Sequence, residues 1–89
     1  MSMHIYRSSG STTVRMGYDR PLNMVFCTVE IDGEMAYSNL ADPEAGTDCQ
    51  AVDYYRVPLT ALGIAVPEEM FKGVKMDQAM RIGNKIVEY

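Results

Sequence analysis

The chain has 89 residues, 47% hydrophobic and 22% charged, which is the composition of one small globular domain rather than of a disordered segment. Twelve acidic against eight basic residues give a net charge of −4, which argues against a nucleic-acid partner, because such binding needs clustered Lys and Arg. No stretch approaches the roughly 20 apolar residues that cross a bilayer, and no signal peptide is recognisable. We therefore expect a single soluble, cytoplasmic domain over residues 1–89.

The first third of the chain predicts β-strands. Residues 3–7 form a first strand that turns through residues 8–11. Residues 12–18 follow and are rich in β-branched and aromatic side chains, which favour strands. Arg20-Pro21 ends this second strand, because the residue before a proline is restricted and proline favours turns.

Asp32-Gly33 lies between two alternating apolar segments and predicts a two-residue hairpin loop, in which both central positions need a positive φ. The paired strands are residues 22–31 and 34–40. A regular register from this turn gives the following pairs: Ile31 with Glu34, Val29 with Ala36, Cys27 with Ser38, and Val25 with Leu40.

The second half of the chain predicts two short helices. Residues 47–50 (TDCQ) fit a capping box at the start of the first helix. Its apolar stripe is interrupted by Pro58, which predicts a kink or a break into two pieces, and Gly63 is a suitable left-handed terminator. The stripe consists of Val52, Tyr55, Leu59 and Leu62.

The second helix is predicted to begin at Pro67 and to stop at Gly83-Asn84, with Glu68 and Lys72 spaced to form an ion pair. Residues 85–89 then form a closing strand. The predicted fold class is α+β: an antiparallel sheet of four or five strands with two short helices packed on one face. The order is β-β-β-β-α-α-β, or the same order without its first strand.

The predicted hairpin has one core face and one ambiguous back face. The residues assigned to the core face are Val25, Cys27, Val29, Ile31, Ala36 and Leu40. The back face is too apolar for ordinary solvent exposure, and two short helices cover only one side of a small sheet. Three interpretations stay open: cover by the chain itself, a dimer or partner interface, and a small-ligand pocket. The residues assigned to this back face are Met24, Phe26, Thr28, Glu30, Met35, Tyr37 and Asn39.

The second predicted helix is apolar on two sides. Met70, Phe71, Val74 and Ile82 share one side, while Gly73, Met76 and Met80 fall on roughly the opposite side. The second side is either covered by the kinked first helix, exposed as scattered residues, or used for association. A glycine inside a helix lowers stability by about 1 kcal/mol relative to alanine, which close approach of a neighbour could offset.

The sequence offers little catalytic chemistry. His4 is the single histidine, and a histidine close to a chain end is expected to be exposed to solvent. Cys49 at a predicted helix start is the better thiol nucleophile, but Asp48 and Asp53 disfavour a thiolate there. The acidic residues around positions 42–53 lack a calcium-loop pattern and predict a solvated rim. We predict no catalytic residue, no metal site and no cofactor.

Several short strings of the sequence resemble a group of short uncharacterised bacterial proteins of similar length. They are YDRPL (18–22), YSNL (37–40), LGIAVPEEM (62–70) and IGN (82–84). The resemblance implies a bacterial, stand-alone protein and implies no activity.

The lack of a predicted catalytic or metal site, together with the apolar surface that the predicted elements do not cover, leads to one main hypothesis. We expect a non-enzymatic interaction protein, a small adaptor, regulator or inhibitor that self-associates or binds a protein through an apolar, acid-rimmed surface. The partner-binding residues are Phe26, Met35, Tyr37, Met76 and Met80. The alternative is a small-molecule-binding protein or minor enzyme that uses the back face of the sheet, with Arg20, Tyr37 and Asn39 as its polar groups.

Overall fold

The structure is a computed structural model that describes residues 1–8, 10–45 and 51–89. The capping box at 47–50 and Cys49 therefore lie outside the described residues. The strands and α-helices are β1 (Ser2–Ser8), β2 (Thr12–Asp19), β3 (Met24–Ile31), β4 (Glu34–Ser38), α1 (Arg56–Ala61), α2 (Glu68–Met80) and β5 (Lys85–Glu88). Two 3-10 helices cover Asn39–Ala41 and Val52–Tyr55.

The fold is α+β, with one five-stranded sheet in the order β4-β3-β2-β1-β5. The predicted first strand is present and pairs with β2. The prediction of a purely antiparallel sheet is wrong, because β5 runs parallel to β1. The helical segments connect β4, at one edge of the sheet, with β5, at the other edge. After this connection β5 runs in the same direction as β1.

The hairpin turn is confirmed at Asp32-Gly33, where φ is 53° and 79°. The predicted pair Ile31 with Glu34 is present. The register then shifts between Val29 and Glu30, because β4 contains a bulge at Ala36. The predicted pairs beyond this point are wrong, and Tyr37 pairs with Val29 instead.

The fourth strand is also shorter than predicted. It ends at Ser38, and the chain continues as a 3-10 helix. Leu40, predicted on the core face, is 84% exposed. Asn39 is buried, and its Oδ1 accepts a hydrogen bond of 3.2 Å from the Cys27 amide, which supplies an acceptor to β3 where β4 has ended.

The first helical segment is broken, as the proline predicted. A 3-10 turn over Val52–Tyr55 leads into the short α1, in which Pro58 is the third residue. Gly63 terminates this segment with a φ of 74°, as predicted. Leu59 is buried, whereas Leu62, the last residue of the predicted stripe, is 38% exposed.

Helix α2 begins at Glu68 with Pro67 at its N-cap, one residue after the predicted start. It ends earlier than predicted, because Arg81 rather than Gly83 adopts the left-handed conformation. Glu68 pairs with Arg56 of α1 through two hydrogen bonds of 2.8 Å, in place of the predicted pair with Lys72. This contact joins the first residue of α1 to the first residue of α2.

The core lies between the helices and one face of the sheet. The sheet contributes Val14, Met16, Tyr18, Val25, Cys27 and Val29, and the helical segments contribute Val52, Tyr55, Leu59, Met70, Phe71 and Val74. Cys27 is buried in the sheet as predicted, and burial raises the pKa of its thiol to about 12.

Candidate functional site

The candidate site is the side of the sheet that faces away from the helices, here called the open face. Along β2 and β3, buried residues alternate with half-buried ones, and the buried set is the one that meets the helices. The open face is therefore left without a covering layer in the described part of the chain. Its apolar residues are Met3, Ile5, Met24, Phe26, Met35 and Ile86.

Phe26 is the aromatic residue of the open face. It pairs across β2 and β3 with Gly17. A Cβ atom at Gly17 would lie 2.1 Å from the Ser2 carbonyl oxygen and 2.8 Å from the Phe26 Cζ. A side chain at position 17 would therefore clash with the backbone of β1 as well as with the ring, and the glycine allows both to approach β2 closely.

A cavity of about 250 Å³ opens beside Phe26 on this face. The β2–β3 turn borders it through Leu22, and the 3-10 helix after β4 borders it through Leu40. These two leucines are 66% and 84% exposed. The cavity therefore lies at a corner of the open face, between two exposed apolar side chains.

The open face carries charges of both signs. Arg15 and Glu30 form an ion pair of 3.4 Å, and Arg7 pairs with Glu88. Asp19 adds a carboxylate beside the cavity. The open face is thus apolar with mixed charges.

The structure separates the predicted partner-binding residues. Phe26 and Met35 lie on the open face, but the bulge turns Tyr37 towards the helices, where it contacts the core. Met76 and Met80 are exposed on α2, on the other side of the molecule. The predicted residues therefore form two separate surfaces.

The alternative ligand-binding set is not brought together either. Arg20 lies in the turn after β2, close to Gly83, and Tyr37 is on the opposite face of the sheet. Asn39 borders the cavity, but its side-chain oxygen is occupied by the Cys27 amide. The cavity is instead mainly apolar.

A buried polar network is the feature that sequence reasoning missed. His4 is 1% exposed, so the prediction of an exposed histidine is wrong. Its Nε2 lies 2.6 Å from Oδ2 of Asp77, and its Nδ1 lies 2.7 Å from the Tyr89 hydroxyl. Lys85 donates to the other Asp77 oxygen at 3.0 Å. The network joins β1, α2 and β5.

Asp77 remains ionised within this network. Burial acts to raise the pKa of its carboxyl group, but hydrogen bonds from His4, Lys85 and Ser2 outweigh burial and lower the pKa below its usual value. Burial and the negative charges of Asp77 and Glu69 raise the pKa of the Tyr89 hydroxyl. The hydroxyl–imidazole–carboxylate arrangement connects β1, α2 and the residue that follows β5.

A second carboxylate is held by two tyrosines. Oδ2 of Asp42 accepts hydrogen bonds from Tyr37 at 2.7 Å and from Tyr54 at 2.8 Å. These bonds lower the pKa of Asp42, while burial and the bond to Asp42 raise the pKa of Tyr54 to about 12. The tyrosine pair connects the end of β4 with the first helical segment.

Within the described ranges, no three His, Cys, Asp or Glu side chains are grouped so that they could hold a metal ion. None of the helices described has the length and apolarity needed to span a bilayer. No known protein family matches the chain, and neither the curated proteins nor the solved structures contain a match.

Proposed function

We propose that this chain is a non-enzymatic interaction protein that binds a second copy of itself through the open face of the sheet. The observation that carries the proposal is the uncovered apolar surface around Phe26. A contiguous apolar surface of this kind usually marks an interaction site. Aromatic side chains such as that of Phe26 are enriched in protein interfaces.

The size of the open face supports a dimer. Five strands spaced about 4.8 Å apart, with about six residues on average rising about 3.3 Å each, give a footprint of about 500 Å² per chain. Two chains would together bury about 1,000 Å², which is the lower end of the range for specific interfaces. The face is therefore large enough for a weak or moderate dimer.

The charges favour a second copy over a basic partner. A two-fold interface uses the same surface on both chains. An excess of one charge sign on that surface would therefore face the same excess on the other chain. The pairs Arg15–Glu30 and Arg7–Glu88 leave no excess of either sign among these four residues. Two open faces can therefore meet without repulsion between these groups.

We also propose that the protein is located in a reducing compartment, the cytoplasm of a bacterial cell. Cys27 is a free, buried thiol in the sheet. Glutathione and thioredoxin keep thiols reduced in the cytosol.

Sedimentation velocity over roughly 1 μM to 1 mM protein tests the proposal, because weak dimers form in this range. We expect a concentration-dependent dimer that Met35→Lys weakens by at least about tenfold. Met76→Lys is the matched control, since Met35 and Met76 are 60% and 57% exposed on opposite sides of the molecule. A chain that stays monomeric, or a dimer lost in Met76→Lys and kept in Met35→Lys, would overturn the proposal.

A further inference from the structure

We infer that the cavity beside Phe26 is a binding site for a small, uncharged apolar molecule. Its volume of about 250 Å³ exceeds that of a benzene-binding cavity, which is about 150 Å³, and is suited to an aromatic compound larger than benzene or to a medium-length alkyl chain. The inference does not depend on self-association, since the cavity is formed by one chain.

The chemistry of the cavity wall determines the class of ligand. Leu22, Met24, Phe26 and Leu40 provide most of the wall. Two of its polar groups already have partners within the chain: Oδ1 of Asp19 accepts from the Leu22 amide at 3.3 Å, and Asn39 accepts from Cys27. A ligand therefore gains apolar contacts here and few new hydrogen bonds.

The apolar wall of the cavity disfavours an anion. Met1, which carries the α-amino group, and Asp19 both line the cavity, so its charge is not simply negative. A fatty-acid carboxylate or a sulfonate would lose water of hydration against the mainly apolar wall, and the described lining residues include no Lys, Arg or His side chain to pair with it. An uncharged compound avoids this cost and still fills the space.

The local backbone supports a preformed site. Gly17 allows the Phe26 ring to lie across β2, so that the ring forms one side of the cavity rather than filling it. The turn at residues 20–23 and the 3-10 helix at Asn39–Ala41 hold Leu22 and Leu40 at its borders. A bound apolar molecule would remove these two exposed leucines from water, which favours binding.

The test uses the fluorescence of N-phenyl-1-naphthylamine, an uncharged probe made of a naphthalene and a phenyl ring. It is compared with 8-anilino-1-naphthalenesulfonate, which adds a negative charge to the same rings. We expect one probe molecule to bind per chain, with the sulfonate binding at least about tenfold more weakly. Decanol should displace the probe from the same site.

Leu40→Lys, which alters an exposed side chain at the border of the cavity, should weaken probe binding by about tenfold or more. The control is Val57→Lys, because Val57 is similarly exposed but borders other surface hollows, on the helical side. No binding by the folded monomeric Met35→Lys chain, equal binding of both probes, or loss in Val57→Lys but not in Leu40→Lys would each overturn the inference.

The measurement is repeated on Met35→Lys, which lies on the open face away from the cavity wall. This variant should bind the probe as a monomer, even if the wild-type dimer partly covers the cavity. Failure of Met35→Lys to bind contradicts the ligand site alone, whereas failure of the wild-type chain to dimerise contradicts the proposed function alone.

Discussion

Nε2 of His4 and Oδ2 of Asp77 lie 2.6 Å apart in the interior of the protein, although 73 positions separate them in the chain. His4 is on β1 and Asp77 is on α2, so this hydrogen bond fixes the helix over the sheet. Lys85 and Tyr89 extend the network to the last strand and the residue that follows it. These side-chain hydrogen bonds attach β5 and the residue after it to α2 and β1. The β5 residue Ile86 is exposed and adds little to the core.

Asp77→Asn tests how much this network stabilises the fold. The amide keeps the shape of the side chain but loses the charge that His4 and Lys85 face, and we expect the unfolding free energy to fall by about 2–4 kcal/mol. Urea unfolding followed by circular dichroism measures this change. Asp53→Asn is the control, because Asp53 pairs with Arg56 and Lys75 at the surface and should have little effect. Equal effects of both variants would contradict a structural role of the buried network.

The contribution of Asp77 should depend on pH in a defined direction. Its pKa is lower in the folded protein than in the unfolded chain, so its stabilising effect is complete above the unfolded value of about 4 and is lost as pH falls through the folded value. We therefore expect the difference in unfolding free energy between wild type and Asp77→Asn to shrink as pH falls below about 4. Urea unfolding at a series of pH values measures it. A difference that grows on acidification would contradict the assigned direction.

Gly73→Ala should destabilise the protein despite the preference of helices for alanine. A Cβ atom there would lie 2.7 Å from Cε1 of His4 and 2.8 Å from the Tyr89 hydroxyl. Replacing glycine by alanine inside a helix would otherwise raise the unfolding free energy by about 1 kcal/mol. Overpacking typically lowers it by about 1–3 kcal/mol, so we expect a net loss of stability. Thermal unfolding measures the result. Ala79→Gly, at an exposed position of the same helix, measures helix preference without a clash.

Local signals of the sequence predicted the elements that depend on local chemistry. Asp32-Gly33 specified a turn with two positive φ angles, and Pro58 and Gly63 specified a broken helix and its end. Each of these features is determined by the residue types at the turn, break or helix end itself, without contributions from distant parts of the chain. The α+β class followed from the same signals.

The predictions failed where distant residues decide the structure. The bulge at Ala36 places Tyr37 against Tyr55 and Asp42, contacts that no local pattern reports. The direction of β5 depends on how the helices cross the sheet. One signal for the buried network was present, because Asp77 occupies an apolar stripe of α2 with Met70 and Val74, where a charged residue needs a partner.

The thiol of Cys27 should be inert in the native protein. It is buried in the centre of the sheet, and burial raises its pKa to about 12, so almost no thiolate forms near neutral pH. In a Cys49→Ser background, we expect iodoacetamide to modify Cys27 very slowly at pH 8 and rapidly after unfolding in urea. Rapid modification of the folded protein would contradict its burial.

The side chain of Asn39 replaces a missing strand, and its removal should weaken β3 locally. Asn39→Leu leaves the buried Cys27 amide without its acceptor, which typically costs about 1–3 kcal/mol. Hydrogen exchange measured by NMR should show faster exchange at the Cys27 amide than in wild type. Asn39→Asp retains an acceptor oxygen and should preserve more of the protection. Leu40→Ala is the control, because the neighbouring Leu40 side chain is 84% exposed and its loss should leave Cys27 protected. Unchanged exchange at Cys27 in Asn39→Leu would show that another group caps the end of this hairpin.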